Sequence, residues 1–196
     1  MGLMMLICSH QEISCQQVLV DDASVFSVQW SVFPSGVAGN LSAGNLMQRY
    51  LTYIKSCTLN IIRPVQLDSG IEFRLLGSSL SLISFLPPSA EAEKVVLRIC
   101  GGVLVQPGQC DRGELRFGVE PGSDGVRVSL QLSEFCPLIL GSRSPSRIRF
   151  WLYRLTQAAI HRLVTVRFLV LLYREMCGVS ARARVVAVKV REGQPV

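Results

Sequence analysis

Arg147, Arg154 and His161 recur at seven-residue intervals, and this row offers the most chemistry in the sequence. Seven residues is close to two helical turns, so in a helix the three lie along one face with Gln157 nearby. Two guanidinium groups in a row suit phosphate or carboxylate, while His161 suits fixing a ligand head or exchanging a proton. The same residues also read as the solvated edge of an amphipathic helix, with long side chains snorkelling to water. Other constellations are thinner. Asp111, Arg112 and Glu114 supply carboxylates for acid and base roles, but their setting reads as a hairpin approach or surface loop. Gly101-Gly102 lacks the Lys and Ser/Thr of a phosphate loop, and no G-x-S-x-G elbow occurs. A cysteine nucleophile would take His161 as its partner, yet no spacing ties that histidine to a particular cysteine.

Composition narrows the classes. Of the 196 residues 49% are hydrophobic and 17% charged, which gives ample material for one core and excludes global disorder. The net charge is +6, with most arginines after Arg112, so acidic partners suit the C-terminal part. Nucleic acid is not expected, because zinc-finger spacing, an RNP-type aromatic strand and a Gly-x-x-Gly loop are all missing. The seven cysteines, Cys8, Cys15, Cys57, Cys100, Cys110, Cys136 and Cys177, are odd in number, form no C-x-x-C pair and sit in apolar stretches. They read as buried free thiols of a reducing compartment, and a cytoplasmic location is expected. His10 and His161 lie far from any close cysteine pair, so neither a metal site nor a cofactor is expected. The apolar run at 3–8 is short and has no Lys or Arg before it; it reads as an ordinary start and a first strand, not a signal sequence.

The elements that must position these residues follow from periodicity. Two strands around Asp21-Asp22 are expected between Glu12 and Phe33, then an irregular stretch at 34–44, then a helix at 45–56 with Leu46, Tyr50 and Ile54 on one face. Strands at 58–65, 71–76, 79–85 and 95–105 are separated by turn residues. Leu115, Phe117 and Val119 alternate with polar residues, as do Val126, Val128, Leu130 and Leu132 beyond Pro121-Gly122, which marks a hairpin with one buried face. A long helix is expected from about 146 to 177, opening at Ser144-Pro145-Ser146 and stopped by Gly178. Its expected inward stripe is Ile148, Leu152, Leu155, Ala159, Leu163, Val166, Val170, Tyr173 and Cys177. Arg154, His161, Arg162 and Arg167 argue against a transmembrane reading. The alternation around Val186, Val188 and Val190 suggests a final strand, whose edge would allow a homodimer as well as a monomer.

Together these patterns describe a single α+β domain over residues 1–196, a curved antiparallel sheet packed on a long C-terminal helix. Arg112-Gly113-Glu114-Leu115-Arg116-Phe117-Gly118-Val119-Glu120-Pro121, then Asp124-Gly125-Val126-Arg127-Val128-Ser129-Leu130, then the long helix, resemble the START-like superfamily of polyketide cyclases, aromatases and lipid-transfer domains, the helix-grip fold. The resemblance covers roughly residues 95–177. It implies an apolar cavity between helix and sheet for a hydrophobic small molecule or lipid, and it carries over no catalytic residue. The first half departs from the pattern, with one expected helix where the family has two. The expected lining is Phe73, Phe117, Leu130, Leu155 and Leu163, with His161 as the polar member. A second reading is peripheral membrane or acidic-partner binding through a basic surface of Arg143, Arg147, Arg149 and Arg154. A third is an enzyme of cyclase or aromatase type, with a polar residue such as Trp30, Tyr53 or His161 inside the cavity.

Overall fold

The structure is a computed structural model that describes residues 10–109, 111–141, 146–178 and 182–196. The strands are β1 (His10–Leu19), β2 (Val25–Phe33), β3 (Ile62–Leu67), β4 (Gly70–Leu75), β5 (Ser81–Phe85), β6 (Ser89–Glu91), β7 (Lys94–Gly101), β8 (Glu114–Gly122), β9 (Gly125–Phe135), β10 (Arg182–Ala187) and β11 (Gln194–Pro195). They form one sheet in the order β10-β1-β2-β9-β8-β7-β5-β4-β3, with β11 added to β1 and β6 to β7. Neighbours pair antiparallel except β10, which runs parallel to β1 from His10↔Arg182 to Cys15↔Ala187. The α+β class and the long C-terminal helix laid on an antiparallel sheet are those expected from the sequence.

Local chemistry sets the turns. Between β1 and β2 the Asp22 carboxylate accepts from the Ser24 backbone N–H at 3.0 Å and from its hydroxyl at 2.6 Å, an Asx-type turn. Burial works against that carboxylate, yet the Ser24 hydrogen bonds and the Arg112 guanidinium hold its pKa down at about 2. The β8–β9 hairpin closes at Gly125, whose φ of +141° and approach to the Phe33 carbonyl leave no room for a Cβ. The stretch expected to be irregular contains a one-turn helix, Ser35–Ala38, so two helices follow β2 and not one. The next, Ala43–Cys57, is capped by the Ser42 hydroxyl accepting from Asn45 N–H at 3.1 Å, and buries Leu46, Met47, Tyr50, Leu51 and Ile54. The run at 3–8 lies outside the described residues.

The C-terminal helix spans Arg147–Cys177 and stops at Gly178, in the left-handed region at φ 67°, whose N–H donates to the Arg174 carbonyl at 2.9 Å. A wider π-turn interrupts it at Arg154–Ala158. The buried face is Tyr153, Ala158, Thr165, Phe168, Leu169, Leu172 and Tyr173. This corrects the expected stripe: Ile148, Leu152, Leu155, Ala159 and Leu163 face water, and of the nine only Tyr173 is fully inside. Two causes combine. The helix is apolar on nearly every side, so periodicity alone does not choose a face, and the π-turn inserts a residue that breaks the 3.6 register. Phe168 is the pivot, with ring centroids 5.2 Å from Tyr50 and 5.4 Å from Tyr53, while Tyr50 stacks 5.4 Å from Phe117 of β8. Free thiols were expected to be buried; Cys15 and Cys136 are, whereas Cys57 and Cys100 are exposed, lying at a helix end and on an outward strand position.

Which face carries the packing is measurable. Phe168→Ala is expected to cost about 3–5 kcal/mol in urea unfolding, because a large buried ring leaves a void. Leu155→Ala is expected to stay within about 0.5 kcal/mol of the parent. Equal losses at the two positions would contradict this assignment.

Candidate functional site

The first two strands carry an unusual set of inward residues. On β1 the inward positions are Gln11, Ile13, Cys15, Gln17 and Leu19, and on β2 they are Val25, Ser27, Gln29, Ser31 and Phe33. Half of the positions that a core strand would fill with Val or Ile are therefore polar, and buried polar groups require partners. Two find the helix backbone: Gln11 Nε2 donates to the Leu169 carbonyl at 3.1 Å and Gln17 Nε2 to the Ala158 carbonyl at 3.2 Å. The second bond falls on the π-turn and holds it over β1. Gln29 Nε2 donates to Ser27 Oγ at 2.8 Å and lies 3.6 Å from Cys15 Sγ. The side-chain oxygens of Gln11, Gln29 and Gln157 are buried without a hydrogen-bond partner among the described residues.

The strand register places these groups among the apolar lining expected from the sequence. One row crosses the sheet as Phe117 on β8, Leu130 on β9, Gln29 on β2 and Cys15 on β1; the next is Leu115, Leu132, Ser27 and Gln17. Leu130 and Cys15 thus flank Gln29 on the inner face, with Phe117 beyond Leu130, and all are buried. Phe73 lies farther along the sheet, packed edge-on against Phe85 at 5.3 Å. Leu155 and Leu163 are corrected: they point to solvent on the far side of the helix and cannot line an interior site.

The Arg147, Arg154 and His161 row divides. Arg147 and Arg154 border a half-open pocket of about 570 Å³ at the helix start, with Leu19, Asp21, Phe150 and Trp151 among its other walls. Arg149 turns toward Gly141, and Arg143 lies outside the described residues. His161 does not join that pocket. It follows Gln157 by one turn, and its desolvation pulls the imidazole pKa down to about 4. In the fold His161 is partly buried on the C-terminal helix. Trp30, considered as an interior polar group, sits on the opposite face of the sheet with the Arg127 guanidinium 4.2 Å above its ring. Tyr53 belongs to the Phe168 aromatic contact, and desolvation pushes its hydroxyl up to about 12.

Asp111, Arg112 and Glu114 do not assemble into an acid and base pair. Arg112 pairs with Asp22 and Glu134, and Glu114 with Arg98 and Arg116. The residues that sequence reasoning missed are Gln11, Gln17 and Gln29. Their signal was present as glutamines on the same strand parity as Ile13, Leu19, Val25 and Phe33.

His161 gives a titration test. Its folded pKa lies below the unfolded value of 6.5, so the unfolded chain takes up the proton first as pH falls. This contribution to stability is constant above about pH 6.5 and is lost progressively down to about pH 4. Proton NMR of a His10→Gln variant, with His161 as its one imidazole, is expected to show a midpoint near pH 4. A midpoint near 6.5 would show a solvated ring.

No family model matches the chain, and no curated protein matches it. Among solved structures it is similar to CalU16 from Micromonospora echinospora. The crystal structure is 15% identical, with a TM-score of 0.36 over 87% of this chain and 90% of that one. The solution NMR structure is 14% identical, with a TM-score of 0.30 over 64% of this chain and 60% of that one.

Proposed function

We propose that this protein binds an apolar small molecule carrying hydroxyl or amide hydrogens, held between the C-terminal helix and the inner sheet face beside Gln29, Gln157 and His161. The observation that carries this reading is the pair of buried, unpartnered amide oxygens at Gln29 and Gln157. An amide oxygen only accepts, so its complement is an O–H or N–H donor. Leaving each acceptor unmet costs about 1–3 kcal/mol, and a ligand that meets them recovers that amount. Phe117 and Leu130 supply apolar walls in the same cross-sheet row. Small-molecule sites combine mostly apolar walls with a small number of polar atoms that fix orientation.

Binding fits these groups better than acid and base catalysis. With its pKa near 4, His161 is neutral at pH 7 and a weak base, far from the matched pKa that proton transfer favours. Neutral imidazole serves instead to accept or donate one oriented hydrogen bond.

Native mass spectrometry of freshly purified protein is expected to show a bound passenger that organic extraction releases. Ricinoleic acid, which differs from oleic acid by a hydroxyl, is expected to bind about tenfold tighter than oleic acid, and Gln157→Leu is expected to erase that difference. Equal binding of the two acids by the parent protein would remove the donor requirement. A clean mass with no uptake of either would overturn enclosure altogether.

A further inference from the structure

Between Arg147 and Arg174 the C-terminal helix carries six arginines and no aspartate or glutamate. Its outward side is apolar through the first half: Ile148 is 81% and Leu155 69% exposed, and Trp151, Leu152, Ile160 and Leu163 are each about half exposed. Among the described residues no carboxylate forms an ion pair with Arg147, Arg149, Arg154, Arg162 or Arg167. Contiguous apolar side chains left in water mark an interaction surface. Unneutralised guanidiniums beside them specify its partner, because the headgroup boundary of an anionic bilayer offers phosphates next to hydrocarbon. Arg154 lies 5.2 Å from the Trp151 ring centroid, joining a cation to the aromatic residue type that favours that boundary.

We propose that this helix face docks the protein peripherally on an anionic phospholipid bilayer. A second copy of the chain is a poorer occupant, since it would bring two arginine rows together. Spanning is a poorer geometry. The helix has the length and apolar composition to cross a bilayer, but Gln11 and Gln17 bond its backbone to β1, and Phe168, Leu169 and Leu172 anchor it in the core. It therefore lies flat, with one side in the protein and the other free for lipid.

The test is co-sedimentation of the full chain with vesicles of phosphatidylcholine alone and of phosphatidylcholine mixed with phosphatidylglycerol. Binding to the mixed vesicles only is expected, and it should weaken as salt rises. Leu155→Glu combined with Ile160→Glu should abolish it, and Arg147→Gln with Arg154→Gln should lower partitioning about tenfold. All four side chains are exposed or partly so, so both variants should keep the parent circular dichroism spectrum. The proposal is overturned by failure to bind mixed vesicles, or by equal, salt-independent binding to both kinds. It is also overturned if the parent elutes as a dimer that the double glutamate variant makes monomeric.

Discussion

Phe168 holds the architecture together. A sheet of this width has one face that must be covered, and the helix covering it meets the Ala43–Cys57 helix at this ring and, farther along, at the Arg49–Glu175 ion pair. Between Tyr50 and Tyr53 it joins the two helices, and through Tyr50 it reaches Phe117 at the middle of the sheet. Tilted and edge-on aromatic contacts of this kind add about 0.5–1.5 kcal/mol each beyond the area they bury. Their directionality matters as much here. They fix how far the helix is rolled about its axis, and so decide that Leu155 and Leu163 face water while Gln157 and His161 turn toward the protein.

The glutamine pins act in the same sense from the other side. Gln11 and Gln17 reach from the sheet to carbonyls on the helix, so its position over β1 is set by directed bonds and not by apolar contact alone. A core made only of leucine and valine tolerates sliding of one layer over another, whereas buried hydrogen bonds select one arrangement. Of the two glutamines, Gln11 also leaves its side-chain oxygen without a partner among the described residues.

The hairpin at 115–132, the Tyr50 helix and the long terminal helix were legible because their periodicities are strong and their turn residues are explicit. The short helix at Ser35–Ala38 was hidden by Pro34, Gly36 and Gly39, whose usual reading is irregular chain. The roll of the terminal helix was not legible. Val, Leu and Ile occupy nearly every side of it, and the π-turn that settles the register is held by Gln17, 141 residues away in sequence. Phe117 and Leu130 were placed on the inner face correctly by alternation. Their neighbour Gln29 was passed over because a glutamine in a strand ordinarily points to water.

The parallel pairing of β10 with β1 has a consequence for biosynthesis. Strand β1 is synthesised long before its outer neighbour, which starts at Arg182, so the edge between them stays open until that strand has emerged from the ribosome. Throughout that time β1 shows unpaired amides and Gln11 and Gln17 wait for a helix not yet synthesised. Contacts of such long sequence separation close slowly. Until then β1 presents an open edge of the kind that can pair with other chains.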